Sequence, residues 1–479
     1  MRFFNTLGDI LSLILIVLTI FIFSIVIAAG ILPTGYFILF LVGLPVLVGF
    51  LLYAMEKQGL VKLRIIGELL TIFLIVVYVI SSIYLFKTGS FMKKIRDDHK
   101  TYATYYIMSK NDSMYKSFHD ILGFDLGVFN EGSKIYNHAL ETLEHNTVVE
   151  TVEFISLDAL KQAIYNDKVD GILVSSFIKE YLENSDNIFK NDISVIYSYD
   201  VDVTDEDATN PIGVDNIFTI YISGVDTYGD ISLRSTSDVN MLVTVNGYDR
   251  EMLFTSIPGD FYVKPNGMVG YKDTLSNVGL YGINNSVATI KELSNIDINY
   301  YLKFNFSSMK KIIDTIGGID VYSDRTFVPY TNQTIKIKEG FNHMNGEMAL
   351  AFVRERYAFE NSNQYIKNGE AVIEAIIKKI TSTKFSLKEY GILVDEFSNT
   401  IRTNLSKNDI KKVVQKELGK KTMWKTAKYT MTGDKSTGFV LSMGEQKQNI
   451  TVPNEESVAK ANNYIVSMKN GRSLSGLGL

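Results

Sequence analysis

Cysteine is absent from the 479-residue chain, which excludes disulfides, zinc thiolate sites and cysteine nucleophiles. A cysteine-free chain also suits an exported bacterial protein. Histidine is nearly as scarce. The five residues, at 99, 119, 138, 145 and 343, show no HExxH or similar spacing, which argues against a His-based metal or Ser-His site. Neither sign of charge dominates, with 48 basic against 53 acidic residues and a formal net charge of −5. That balance argues against a whole-chain nucleic-acid binder, though not against a local basic site.

What the chain does have is long apolar runs. Residues 11–29, 36–55 and 65–86 are each long enough to cross a hydrocarbon core of roughly 30 Å. The connection "GILPTG" is short and uncharged, so the first two spans make a tight hairpin. The next, "EKQGLVKLR", carries Lys57, Lys62 and Arg64, the mark of a cytoplasmic loop. With Arg2 inside, three crossings place everything after Phe86 outside the cell. Lys87, Lys93, Lys94 and Arg96 argue the other way, but large domains are translocated largely regardless of charge. A cleaved signal peptide is disfavoured because two further spans follow the first. Glu68, near the cytoplasmic end of its span, reads as reaching the interface. The cytoplasmic pieces, residues 1–9 and 56–64, are too short for a DNA-binding fold, so no nucleic-acid partner is expected.

The remainder reads as α/β, giving three parts: a membrane anchor (1–90), an accessory domain (91–212) and a layered α/β/α domain (213–479). In the accessory part, "DLGVFNEGSKIYNHALETLE" predicts a strand, a glycine turn and an amphipathic helix. The next repeat has Ser156 as N-cap, a helix with Leu157, Leu160 and Ile164 on one face, and the strand "GILVS". No catalytic constellation falls there. After the polar boundary "DEDATNPIG", "IFTIYISGVD" reads as a buried strand, and a strand pair turns at Asn246-Gly247. "SSMKKIIDTIGGIDVYS" predicts a helix capped by Ser307 or Ser308 and stopped at Gly317-Gly318, then a strand. "ALAFVRER" reads as a further strand and "EAVIEAIIKKIT" as the helix after it.

The chemistry sits at strand ends. Asp226 and Asp238 can share a Mg²⁺, which takes one or two carboxylates and completes its shell with water and phosphate. Arg354 and Arg356, two apart on a strand, would point to one side and grip phosphate oxygens. Asp260 ends another strand. Metal and arginines together would be the electrostatic apparatus of phosphoryl transfer. The plainer alternatives stay open: Asp at a strand end is commonly a turn residue, and an R-E-R strand is commonly a salt-bridged face.

Seven ordered blocks, "FTIYISGVDTYGD", "SDVNMLVTVN", "LFTSIPGDFYV", "KDTLSNVGLYG", "NYYLKFNF", "GGIDVYSDRTF" and "ALAFVRERYAF", resemble the LytR-CpsA-Psr family, most of all its capsule-associated, CpsA-like branch. The likeness is dense over residues 216–385 and looser through "MWKTAKYTMTG" and "ITVPNEESVAKANNYI". It implies a membrane-anchored, extracytoplasmic protein of a Gram-positive cell. Such proteins move a glycopolymer phosphate from a polyprenyl diphosphate carrier to peptidoglycan with Mg²⁺, the lipid lying in an apolar tunnel of the α/β domain. The resemblance to the capsule-associated branch adds capsule-assembly proteins as candidate partners. By this resemblance Asp226 and Asp238 match metal-site aspartates, Arg354 and Arg356 match arginines that hold the diphosphate, and Asp260 matches the Asp of an S-I-P-R-D block.

The departures from the family pattern are specific. Thr236 stands where the family has Arg, with Arg234 nearby, and Gly259 replaces the S-I-P-R-D arginine. Asn277 replaces a usual His. The arginine of the G-D-x-D-R-x-x-N-Q block is missing from "ENSNQYIKNGEA", where Gln364 is out of register and Lys367 is the only cation. Lysine is a poor substitute for a bidentate arginine. Two expectations follow: a transferase, or a weakened pseudoenzyme that binds polyprenyl phosphate lipid and regulates or scaffolds capsule synthesis.

Overall fold

The structure, a computed structural model, describes residues 7–29, 34–57, 60–94, 102–129, 134–154, 156–202, 209–225, 235–266, 268, 271–355, 358, 364–382, 387–418, 423–443 and 447–479. The apolar runs form helices α1 (Leu7–Ala29), α2 (Thr34–Glu56) and α3 (Val61–Lys94), all long and apolar enough to cross a membrane. Glu68 is paired within α3 to Arg64 at 3.0 Å. The 34 residues of α3 extend about 50 Å at 1.5 Å per residue, more than a bilayer core needs. Near its far end Lys87 pairs with Asp395 at 2.6 Å, tying the anchor to the C-terminal domain.

The first α/β unit contains β1 (Tyr102–Lys110), β2 (Phe124–Phe129), α4 (Lys134–Asn146), β3 (Val149–Phe154), α5 (Leu157–Tyr165), β4 (Gly171–Ser175), α6 (Ser176–Ser185), α7 (Asn187–Asp192) and β5 (Ile193–Asp202). Its sheet runs β3-β2-β4-β1-β5, with β2 parallel to β3 and β4 and β1 antiparallel to both its neighbours. Ser156 caps α5, its hydroxyl accepting the Ala159 N–H at 3.1 Å, and Leu157, Leu160 and Ile164 are buried as the periodicity predicts. α4 buries Tyr136, Ala139 and Leu143 in a separate apolar cluster with Ile107, Leu126 and Val128.

The second unit contains β6 (Phe218–Val225), β7 (Val239–Asn246), β8 (Glu251–Ile257), β9 (Tyr262–Val263), β10 (Asp273–Thr274), α8 (Leu275–Val278), α9 (Ile283–Ser294), β11 (Tyr300–Asn305), α10 (Phe306–Thr315), β12 (Ile319–Ser323) and β13 (Gly340–Met344). There follow α11 (Gly346–Val353), α12 (Gln364–Ser382), α13 (Leu387–Thr400), β14 (Ile401–Thr403), α14 (Lys407–Leu418), β15 (Lys425–Thr430), β16 (Gly433–Phe439), β17 (Lys447–Pro453) and α15 (Glu455–Lys469). The sheet runs β14-β11-β6-β7-β8-β15. Side chains alternate across it. Met241, Val243 and Phe254 join Met309, Phe352 and Ile373 of α10, α11 and α12 on one face. Tyr221, Leu242 and Leu253 join Val278, Val287 and Ile465 of α8, α9 and α15 on the other. This is the layered α/β/α arrangement expected from the sequence.

The strand expected at residues 349–353 is instead the end of helix α11. Asn345 starts that helix, its side-chain oxygen accepting the Met348 N–H at 2.9 Å, and Ala349, Phe352 and Val353 are buried at helical spacing. A five-residue apolar run does not distinguish strand from buried helix, and the cap decides it here. Arg354 is therefore a helix C-cap, and the same-side argument for it and Arg356 falls away. Ser307 and Ser308 lie within the first turn of α10, which begins at Phe306.

Candidate functional site

β6 is parallel to β11, β8 is parallel to β15, and β7 lies antiparallel between β6 and β8. The carboxyl ends of β6, β8, β11 and β15 therefore share one edge, the edge where β7 begins. Open α/β sheets bind ligands at such an edge. Asp238 immediately precedes β7 there, and Asp260 follows β8. Asp226, Arg234 and Arg356 lie outside the described residues.

The segment carrying Asp238 is fixed by buried polar groups. The Ser223 and Ser237 hydroxyls lie 2.8 Å apart, and the Ser237 hydroxyl donates to the Val239 carbonyl at 3.0 Å. Asn240 Nδ2 donates to the Ser237 carbonyl at 2.9 Å, while Tyr221 Oη donates to Asn240 Oδ1 at 2.6 Å. The Ser237 N–H donates to the Ser276 carbonyl at 2.9 Å. An unpaired buried polar group costs about 1–3 kcal/mol, so these pairings select one position for the segment.

Arg354 is half-buried at the end of α11 and is brought to the same edge through α12. Asn368, buried in the first turns of α12, donates from Nδ2 to the Phe352 carbonyl at 2.9 Å. The next residue, Gly369, lies so close to β7 that a Cβ would fall 2.5 Å from Val239 Cγ2, which is why glycine is needed. Val239 follows Asp238, so α11's end, α12's start and Asp238 form one neighbourhood. Glu355 is buried, its Oε2 accepting the Tyr330 N–H at 2.6 Å and its Oε1 the Ala358 N–H at 2.8 Å. Of the R-E-R triplet, then, the middle residue anchors the backbone. Lys367 is exposed on the first turn of α12.

Asp260 is held differently. Its Oδ2 accepts Lys435 Nζ at 2.8 Å and Thr451 Oγ1 at 2.7 Å, tying the β16–β17 hairpin to the edge. Its Oδ1 is buried without a hydrogen-bond partner among the described residues. At Gly259 a Cβ would run into Ser276 Oγ, so the place of the family's arginine is packed shut by a serine. Asn277 donates from Nδ2 to Asp273 Oδ1 at 2.9 Å and to Ser442 Oγ at 2.6 Å.

Sequence reasoning missed two carboxylates on α12. Burial pushes the Glu370 carboxyl up to about 7, against a Ser256 hydrogen bond and the charges of Lys428 and Lys367, and Glu374 adds to the rise. Burial also opposes ionisation of Glu374, yet hydrogen bonds from Lys378 and Lys428 outweigh it and hold that carboxyl low. Their i, i+4 spacing beside the apolar Val372, Ile373 and Ile376 was the available signal. Asp273 left no comparable trace in the sequence.

Among the described residues no three His, Asp or Glu side chains converge as a metal site. Mg²⁺ does not need three, since it binds through one or two carboxylates plus water and phosphate. Asp238, at the sheet edge, is the one of the two expected carboxylates that falls among the described residues.

A mixed six-stranded sheet covered by helices on both faces, with Asp238 and Asp260 at its carboxyl edge, defines a layered α/β protein. Residues 189–457, more than half of the chain, match the LytR_cpsA_psr family, and the chain belongs to it. The polyisoprenyl-teichoic acid–peptidoglycan teichoic acid transferase TagU of Bacillus cereus is 32% identical over 195 residues, covering 40% of this chain and 62% of the relative. The protein of the same name in Enterococcus faecalis is 29% identical over 199 residues, covering 41% and 64%. The match thus spans less than two thirds of either relative's length. The crystal structure of B. subtilis TagV superposes with a TM-score of 0.45 at 23% identity, covering 54% of this chain and 98% of that one.

Proposed function

We propose that this protein is a membrane-anchored, extracytoplasmic transferase that moves a glycopolymer phosphate from a polyprenyl diphosphate carrier to peptidoglycan. The acceptor hydroxyl oxygen attacks the phosphorus next to the glycopolymer. The bond to the polyprenyl phosphate breaks, polyprenyl phosphate leaves, and the hydroxyl proton is lost. Family membership and the names of the relatives support the reaction class. The three apolar helices support the anchoring. The observation that carries the reading is that α12 touches both the end of α11, which carries Arg354, and Val239, which follows Asp238 at the carboxyl edge.

In this reading Arg354 and Arg356 grip the diphosphate as charge-assisted forks. Asp226 and Asp238 would hold Mg²⁺, which when bound supplies charge neutralisation to the phosphates. Arg234 and Lys367 stand in for the arginines that the family has and this chain lacks. Asp260, whose Oδ1 has no hydrogen-bond partner among the described residues, is the remaining carboxylate of the set. The glycopolymer is capsular if the CpsA-like resemblance governs, and teichoic acid if the chain follows its named relatives.

A second reading, a lipid-binding pseudoenzyme that regulates or scaffolds capsule synthesis, is favoured by one observation: Gly259 packs against Ser276 where the family has an arginine. Each buried methylene contributes about 0.8 kcal/mol, so a long prenyl chain can be retained without that cation. One experiment separates the two. The full chain in detergent is given carrier-linked capsular or teichoic oligosaccharide, Mg²⁺ and peptidoglycan. Polyprenyl phosphate release that Arg354→Ala abolishes supports the transferase, whereas carrier retained without turnover of either donor overturns it in favour of the pseudoenzyme.

A further inference from the structure

The first α/β unit is joined to the second through two loops of the latter. Met268 and Leu441 enter the apolar cluster formed by Leu160, Ile164, Ile178 and Leu182 of α5 and α6. The Phe129 ring, at the end of β2, stands edge-on to Tyr271 with centroids 5.6 Å apart. Tyr271 Oη accepts the Leu157 N–H at 3.2 Å. That amide is the first of α5, a donor with no partner inside its own helix.

From Tyr271 the contacts lead to the sheet edge. Two residues on, Asp273 is completely buried and accepts five hydrogen bonds. Thr274 N–H (2.7 Å), Asn277 Nδ2 (2.9 Å) and Ser442 Oγ (3.0 Å) donate to its Oδ1. Ser442 N–H (2.9 Å) and Tyr281 Oη (3.1 Å) donate to its Oδ2. The Leu441 N–H also donates to the Lys272 carbonyl at 3.1 Å, so both loops that meet the first unit are locked to each other. Helix α8 follows at once. Its Ser276 donates its N–H to the Gly259 carbonyl at 2.7 Å and accepts the Ser237 N–H at 2.9 Å. Ser237 precedes Asp238, and this backbone link is the tie between its segment and α8.

We infer that the accessory unit braces the functional edge, with Tyr271, Asp273 and Ser276 as positioning residues that set where Asp238 stands. The consequence for Asp238 rests on the function proposed above, whereas the brace itself does not. Packing alone would need only the apolar contacts of Met268 and Leu441. A polar relay that starts at a helix amide of one unit and ends one residue from a site carboxylate of the other transmits position. A partner or ligand that shifts α5 would then shift the edge.

Hydrogen exchange on the full chain in detergent tests this, read at residues 235–240 by mass spectrometry. Two variants are used: Asp273→Asn, and the milder Phe129→Ala/Tyr271→Phe, which keeps the relay's core in case the first folds poorly. Exchange at Ser237 should rise about tenfold in both, the loss expected for about one hydrogen bond, with β6 and β11 unchanged. Unchanged exchange at 235–240 while the Leu157 amide opens overturns the brace, and so does a uniform rise across both sheets. Mn²⁺ titration followed by electron paramagnetic resonance adds the second readout, with affinity about tenfold weaker expected in both variants. If the unsubstituted chain binds no Mn²⁺, the metal reading fails, and the exchange data still decide the brace.

Discussion

The two sheets are built alike and filled differently. Each is mixed and covered by helices on both faces. The five-stranded sheet buries Ile107, Met108, Leu126, Val128, Ile172, Leu173 and Val174, with Ser109, Ser175 and Tyr105 carrying buried hydroxyls. The six-stranded sheet buries Thr219, Ser223, Asn240, Thr244, Thr255, Ser256, Lys303 and Asn305 among its apolar residues. Buried polar groups stabilise a core less than methylenes of the same volume and must find partners. Thr219 pairs with Thr244 at 3.0 Å and Ser223 with Ser237 at 2.8 Å, which offsets the cost there, while the Thr255 hydroxyl stays buried without a partner among the described residues. A sheet that keeps such groups does so for something other than packing. By this measure the first unit is scaffold, and the proposed chemistry falls to the second.

The largest effect that would test this contrast is at Arg354. If the six-stranded edge is the reactive one, Arg354→Ala lowers carrier turnover by about 10²–10³ with little change in melting temperature. A loss below tenfold, measured as polyprenyl phosphate release, would erase the distinction between the sheets. Second comes Leu173→Ala in the five-stranded sheet, where the side chain is 2% exposed. A buried leucine truncated there costs about 3 kcal/mol of stability. Chemical denaturation should record that loss, while turnover per folded molecule stays within about tenfold, the range left to the brace.

The same contrast explains what could be read in advance. Local signals held: Ser156 caps α5, and Asn246 ends β7, its Oδ1 accepting the Tyr248 N–H at 3.0 Å. The fold class followed from such signals because layers are built from local periodicity. What failed was short or distant. The run "ALAFV" is too short to separate strand from helix, and Asn345, which settles it, looks like any loop asparagine. Asp260 was legible as a strand-end carboxylate, but its tie to Lys435 joins residues 175 apart in the chain, which no spacing reveals. Glu370 was missed because burial of a carboxyl depends on β8 and β15 packing over it.

Glu370 supplies the third test. Its folded value of about 7 lies above the 4.5 of a free glutamate. Between those values the unfolded chain has released the proton and the folded one retains it, so stability falls as pH rises through that window and is level above it. Glu370→Gln removes the titration. After allowance for residual solvent at the group, the variant should be more stable at pH 8 by about 2 kcal/mol and close to equal near pH 5. Denaturation midpoints at the two pH values check it, and an equal gain at both would mean that packing, not proton binding, governs this buried acid.

The smallest effect is at Gly259, and it bears on whether the edge is closed. A Cβ there meets Ser276 Oγ, a buried hydroxyl with no hydrogen-bond partner among the described residues. Turning that hydroxyl aside therefore sacrifices no bond, and Gly259→Ala should cost only about 1 kcal/mol, the low end for overpacking. Ser276→Ala alone should be neutral or slightly stabilising, since it removes an unsatisfied polar atom. Combined, the two substitutions should be more stable than their separate effects predict, because the second removes the obstacle to the first. Thermal melts of the four proteins measure that coupling. If the coupling appears, Gly259→Arg in the Ser276→Ala background puts a cation at the edge with one obstacle gone. About a tenfold rise in turnover would then mean that a missing charge, and not a missing fold, limits this site.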